Sequence, residues 1–172
     1  ALTITLPGVS APRLGVLPLG VGACVVAALR ALGAQAFVKW PNDVLIDGLK
    51  VCGILCESSL LEGTARVFVG IGINVEGGVA DLSLTASATT LSSHGITASR
   101  PALVADITAR VIVMLRSGLS NPEIVDQWKS VAAPWWGEEV AFLAAALVVV
   151  GAAGYLKLGV DRSPPVDIPQ IY

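Results

Sequence analysis

The sequence predicts an α+β fold, a mixed sheet flanked by helices. Three observations lead there. Several short runs rich in Val, Ile and Leu have the alternation or the length of strands. Two longer stretches, residues 20–32 and 99–116, repeat apolar residues at helical spacing. An Asp-Gly pair, Asp47-Gly48, lies between two apolar runs, and such a pair favours a two-residue hairpin turn because both turn positions need φ > 0. At 172 residues the chain can bury one good core, or one core with a small appendage.

Residues 2–6 alternate as LTITL and read as a strand with Leu2, Ile4 and Leu6 on one face. A Gly- and Pro-rich loop is expected over 7–18. Residues 20–32 form a helix with Val21, Cys24, Val25, Leu29 and Leu32 on its apolar side, stopped by Gly33. A short strand, 36–40, ends at Pro41, which cannot donate to a ladder. The hairpin follows, with strands 43–46 and 49–57. Residues 64–75 (TARVFVGIGINV) read as a long strand, apolar on both faces in its middle and therefore central. Gly70 and Gly72 share a face; either a ligand approaches the backbone there, or the strand bulges or packs tightly against a helix.

A polar loop, 76–96, leads to a helix capped by Ser99, with Pro101 in its first turn and a stripe of Leu103, Val104, Ile107, Val111, Met114 and Leu115. Asn121-Pro122-Glu123 signals another start, with Asn121 as the capping side chain and a helix to about residue 132. From Pro134 the texture changes. Residues 139–143, 147–151 and 155–160 look like short strands, so the chain divides into residues 1–133 and a β appendage with a tail, 134–172. The Pro-rich end, SPPVDIPQIY, cannot continue a sheet interior.

Only 14% of residues are charged, against the usual quarter or so, and the net charge is −2. That balance argues against nucleic acid or an anionic membrane surface as partner. Residues 14–29 are too short and too broken by Pro and Gly for a membrane span. Residues 140–156 reach its lower limit but carry Gly151 and Gly154, so buried structure is expected for both. No basic stretch followed by an apolar run and a cleavage site marks a secretory signal. Ala1 already lies in a strand-like run and the sole methionine is Met114, so a piece of a longer protein is expected. Cys24, Cys52 and Cys56 are an odd count without staple spacing, which fits a reduced, cytoplasmic chain.

Polar residues concentrate in 38–57, VKWPNDVLIDGLKVCGILCE, between apolar runs. KWPND, then the hairpin, then Lys50-x-x-Gly53-Ile54-Leu55-x-Glu57, then Gly70-x-Gly72-Ile73-Asn74-Val75 closely resembles the catalytic domain of biotin protein ligases. Ala88-Thr89-Thr90-Leu91 is similar to that family's Ala-Thr-Ser-Leu segment. The resemblance covers residues 1–132 and fades beyond. It implies a core like that of class II aminoacyl-tRNA synthetases, with residues 134–172 as a degenerate SH3-like piece.

The family activates biotin with ATP to biotinyl-5′-AMP and passes the biotinyl group to a lysine of a biotin carboxyl carrier domain. On that resemblance Lys50 and Asp43 are the catalytic residues: Lys50 holds biotin's carboxylate and the charge developing on the bridging oxygen, and Asp43 stands near the phosphates and Mg²⁺. Lys50, Gly53, Ile54, Leu55, Gly70 and Gly72 are the implied biotin contacts. Trp40, Asn42 and Asn74 are the implied nucleotide contacts, and Asp43 with Asn74 the implied Mg²⁺ ligands. On residue type alone, Asn42 and Asn74 equally suit turn or strand-end capping, Trp40 suits a core, and Lys39 stays open. Glu57 is expected to orient its neighbours.

The family's Gly-Arg-Gly-Arg-x-Gly loop and its Ser-Thr pair have no counterpart in this sequence, and Arg13 lacks the glycine spacing to replace them. The expected activity of this chain alone is therefore very low. Two other readings are a lipoate- or octanoyl-transfer relative and a non-catalytic binding or dimerisation module. A homodimer through an exposed sheet edge is a further expectation.

Overall fold

In the computed structural model, residues 1–61, 64–77 and 88–133 are described. The elements run β1 (Leu2–Ser10), α1 (Ala11–Leu14), α2 (Leu17–Ala31), β2 (Ala36–Lys39), β3 (Asp43–Ile46), β4 (Leu49–Leu61), β5 (Thr64–Ile73), α3 (Arg100–Arg116) and α4 (Asn121–Ser130). The proposed β appendage, 134–172, and part of the polar loop, 78–87, lie outside the described residues.

The strands form one five-stranded sheet in the order β1-β5-β4-β3-β2. All its ladders are antiparallel. Among the described residues parallel pairing is confined to two isolated bridges, Val38 with Ala132 and Lys50 with Ala88. Alternation decides which face is buried. Leu6 on β1, Val44 and Ile46 on β3, Cys52 and Ile54 on β4, and Ala65, Val67, Val69 and Ile71 on β5 all enter the core.

Helix α2 lies on that buried face and also packs against α3 and α4. It is therefore buried nearly all round, from Leu17 to Leu29, without one polar side. Gly20 and Gly22 are what let its neighbours come close. A Cβ on Gly20 would stand 3.0 Å from Met114 Cε and 3.2 Å from Ile124 Cγ2; one on Gly22 would stand 3.3 Å from Val38 Cγ1. Gly20→Val is thus expected to cost about 1–3 kcal/mol by overpacking, read as a lower midpoint in chemical denaturation.

Several boundaries differ from the sequence-based expectation, each for a local reason. The 7–18 stretch is largely ordered structure. β1 continues through Pro7 and Gly8 to Ser10 with a register shift between Leu6 and Val9, which an edge strand accommodates. α2 begins at Leu17, with Pro18 in the first turn, where a missing N–H costs nothing. Ser99 occupies the N-cap of α3 but its side chain caps nothing. Asn121 does not cap α4. Ser120 does, in a reciprocal capping box with Glu123.

That pairing holds the Glu123 carboxyl below its ordinary pKa, chiefly through the Ser120 hydroxyl. Its contribution is present above the ordinary carboxylate pKa and is lost as pH falls through the depressed one. Asn121 instead donates to Pro12 O at 2.9 Å, and Arg13 donates to Leu119 O. Arg13 is therefore a tie between α1 and the α3–α4 turn. Leu32 and Val104, expected in apolar stripes, are 41% and 40% exposed. α4 stops at Ser130 because Val131 and Ala133 pair with Val38, closing the outer edge of β2.

Strand β5 is central in pairing but not in burial. Its alternating pattern leaves Arg66, Phe68 and Gly72 exposed on the face away from α2, where Leu55 of β4 is 60% exposed. Among the described residues the sheet therefore has one packed face and one open face.

The three thiols are free and sit on the packed side. Burial pushes Cys24 and Cys56 up to about 11 and Cys52 up to about 12. Alkylation of the folded chain near about pH 8 should be slow at all three, because only thiolate reacts. Rapid labelling without unfolding would contradict that placement. Among the described residues no helix is long and apolar enough to cross a membrane.

Candidate functional site

The site is built on the β3–β4 hairpin. Its turn is the expected one: Asp47 has φ 51° and Gly48 φ 78°, both in the left-handed region, and Ile46 faces Leu49. The feature that organises the site is a bulge. Val44 pairs with Cys52 but Leu45 pairs with Lys50, so Val51 is an extra residue in β4. In a regular strand Lys50 and Gly53, three apart, would point to opposite faces. The inserted residue restores them to one face, shared with Asp43 and Leu45.

Directly opposed residues share a face, so the register defines a row across the open side: Lys39, Asp43, Gly53 and Gly72. Leu55 and Gly70 form the adjoining row with Thr3 of β1. A cleft of about 320 Å³ lies over these rows, lined by residues 1–3, 42, 53–55 and 70–72; the Ile54 and Ile71 side chains are buried on the other face. The structure thus gathers Gly53, Ile54, Leu55, Gly70, Gly72 and Asn42 at one cleft. It also adds Lys39, exposed and opposite Asp43, to the same face.

Lys50, Asp43, Trp40 and Asn74 are not among the residues lining this cleft. Lys50 Nζ lies 2.5 Å from Asp43 Oδ1, with the two side chains 44% and 22% exposed. The contact is an ion pair by distance alone. Buried Oδ1 receives no donor in hydrogen-bonding geometry. That oxygen is closed off by Lys50 as it stands, and a lysine this exposed can turn towards an anion without losing much, which would open it. The Lys50 stem runs over Gly53, where an added Cβ would meet Cε and Nζ at 3.3 Å.

Gly70 and Gly72 are different. A Cβ on Gly70 would find Leu55 O at 3.7 Å, and one on Gly72 would find Gly53 O at 4.0 Å, both ordinary contacts. The β4–β5 register runs unbroken from Cys52–Ile73 to Leu61–Thr64, so among the described residues neither a bulge nor a covering helix accounts for these glycines. Their effect is to leave a flat strip of backbone at the cleft floor.

The asparagines are committed in part to the chain itself. Asn42 accepts from Ile54 N at 2.8 Å and its amide donates to Ile54 O at 2.9 Å, locking the KWPND turn to β4. Asn74 donates from its backbone to Val51 O, within the bulge, and from its amide to Thr89 O at 3.1 Å. Trp40 is half-buried and packs edge-on to Trp128, ring centres 6.2 Å apart. Glu57 is exposed, opposite Phe68 and beyond the cleft.

Residues 88–95 strap the hairpin. Thr89 N donates to Lys50 O at 2.8 Å, and Leu91 N and Ser92 N donate to Asn74 O and Val75 O. A 3₁₀ turn, Ser92–His94, ends at Gly95 with φ 71°. His94 then reaches back: Nδ1 lies 3.2 Å from Asp47 Oδ2 and Nε2 lies 2.9 Å from Thr89 Oγ1. Neither the bulge nor this histidine was visible in the sequence pattern.

Residues 6–74 match the Biotin/lipoate A/B protein ligase family. The biotin–[acetyl-CoA-carboxylase] ligase of Paracoccus denitrificans is 56% identical over 45 residues, 26% of this chain and 19% of that protein. The bifunctional ligase/repressor BirA of Salmonella typhimurium is 36% identical over 106 residues, 60% of this chain and 32% of that protein. The biotin protein ligase of Aquifex aeolicus, solved in complex with biotin and ATP, superposes with a TM-score of 0.62 at 29% identity, over 76% of this chain and 57% of that one. The chain therefore spans a third or less of these curated relatives and rather more than half of the solved one. In sequence and in fold the chain is thus similar to biotin protein ligases over its matched residues.

Proposed function

We propose that this chain supplies the sheet wall of a site for ATP-dependent biotinylation. The observation that carries the reading is the bulge at Val51, which sets Lys50 over Gly53, beside two glycines, Gly70 and Gly72, that no packing among the described residues requires. A flat ureido ring lies on the backbone strip of Gly70 and Gly72, flanked by the Leu55 side chain and the Ile54 backbone. Biotin's carboxylate reaches Lys50, leaving Asp43.

In the first step a carboxylate oxygen attacks the α-phosphate of ATP and pyrophosphate departs, giving biotinyl-5′-AMP. In the second, the lysine amine of a biotin carboxyl carrier domain attacks the acyl carbon and AMP departs. Lys50 serves both by holding positive charge where the bridging oxygen gains negative charge. Asp43 orients the incoming amine and takes up its proton.

Mg²⁺ would be held as a nucleotide complex, with the Asp43 carboxylate, once Lys50 has turned from it, and the Asn74 amide oxygen as protein ligands, suited to an ion that keeps waters and phosphates as its other ligands and supplying positive charge at the phosphates. Asn42, Asn74 and Trp40 border the nucleotide. A homodimer made by sheet extension would use β1, since residues 131–133 pair along β2. Three free thiols suit a reducing cytoplasm. Residues 1–133 form this ligase unit, and 134–172 a separate appendage.

Incubation of the chain with biotin, MgATP and a carrier domain, followed by mass spectrometry of the carrier, tests the proposal. Slow biotinyl transfer to one carrier lysine is expected. Absence of both adduct and biotinyl-5′-AMP after prolonged incubation would overturn it.

A further inference from the structure

We infer that His94 is a positioning residue for Lys50, acting through Thr89. The inference rests on the reading of the cleft as a biotin site. At the bulge, β4 departs from regular pairing with β3, and the Lys50 carbonyl takes its hydrogen bond from Thr89 N at 2.8 Å. Whatever fixes Thr89 therefore fixes the backbone from which the Lys50 side chain springs. Thr89 is 5% exposed and is gripped from two sides. Asn74 donates to its carbonyl, and the His94 ring meets its hydroxyl at 2.9 Å.

The opposite ring nitrogen of His94 meets Asp47, at the tip of the same hairpin that bears Lys50. With Nδ1–H donating to the Asp47 carboxylate, Nε2 of the neutral ring is left as acceptor for the Thr89 hydroxyl proton. One side chain thus closes a ring from the hairpin tip through the strap to the bulge. The Asp47 side chain is 72% exposed, so its contact with His94 is screened and weak. The buried Thr89 contact is the one that transmits position.

That asymmetry gives the test. His94→Gln places an amide near the Nε2 position and keeps a partner for Thr89. His94→Asn reaches only the Nδ1 position and keeps Asp47 instead. Thr89→Val removes the hydroxyl. Biotin affinity by calorimetry, the exchange rate of the Thr89 amide by NMR and the melting temperature are measured on the full chain. His94→Gln should match wild type. His94→Asn and Thr89→Val should show about three- to tenfold weaker biotin binding and similarly faster Thr89 exchange, one hydrogen bond's worth, at near wild-type melting temperature.

Equal losses in the Gln and Asn variants together with a lower melting temperature would show a purely structural role and overturn the inference. Unchanged Thr89 exchange in all three variants would overturn it too. If wild type fails to bind biotin, the functional reading falls, and Thr89 exchange alone still decides whether His94 fixes the Lys50 backbone.

Discussion

Gly72→Val leaves the fold intact and removes biotin binding. A Cβ at this position meets nothing closer than Gly53 O at 4.0 Å, and the backbone there needs no positive φ. In a strand interior, valine is favoured over glycine by up to about 1 kcal/mol, so the melting temperature should hold or rise. The same methyl groups stand up from the cleft floor next to Gly53 and Gly70 and occupy the plane a flat ring would use. An affinity loss of about a hundredfold or more is expected, since a ring lifted off the backbone strip loses its contact with the floor and its reach to Lys50 together. Gly20→Val is the matched control, because it should lower stability. A Gly72→Val chain that melts as wild type and binds biotin unchanged would remove the reason offered for this glycine.

Lys50→Met is expected to slow biotinyl-5′-AMP formation about 10²- to 10³-fold, the usual loss for one preorganised donor at a developing charge. The methionine keeps much of the apolar stem that covers Gly53 while discarding the ammonium. Stability should fall little, because the pair with Asp43 is partly exposed and screened. Single-turnover pyrophosphate release, compared between the two chains at saturating biotin and MgATP, reads the effect. Equal rates would show that Lys50 is only a solvated hairpin lysine.

The hairpin itself was legible because its turn leaves little choice. Two adjacent residues with φ > 0 call for Asp-Gly, and Asp47-Gly48 is what the sequence has. The buried faces of β1 and of α3 at Leu103, Ile107, Val111 and Met114 were legible from periodicity for the same kind of reason. The bulge was not, since Val51 sits in an apolar run, KVCGIL, in which no residue demands unusual backbone. Its consequence, Lys50 and Gly53 on one face, contradicts simple alternation.

Strand β5 was misjudged because Phe68, Gly70 and Gly72 count as apolar although they face the open side. Asn121 was preferred to Ser120 because Asn-Pro-Glu is itself a start signal. The Ser-x-x-Glu spacing of a capping box was present and decided the outcome. The His94 contacts join residues distant in sequence, and pattern reading has no access to them.

The central claim is that the open face of this sheet is a biotin and nucleotide wall. Calorimetric titration of the folded chain with biotin, and separately with MgATP, tests it most directly. Saturable binding of at least one of them, with biotin approaching one per chain and lost in Gly72→Val, is the predicted result. A folded chain that binds neither would contradict the account and leave a non-catalytic module built on the same fold.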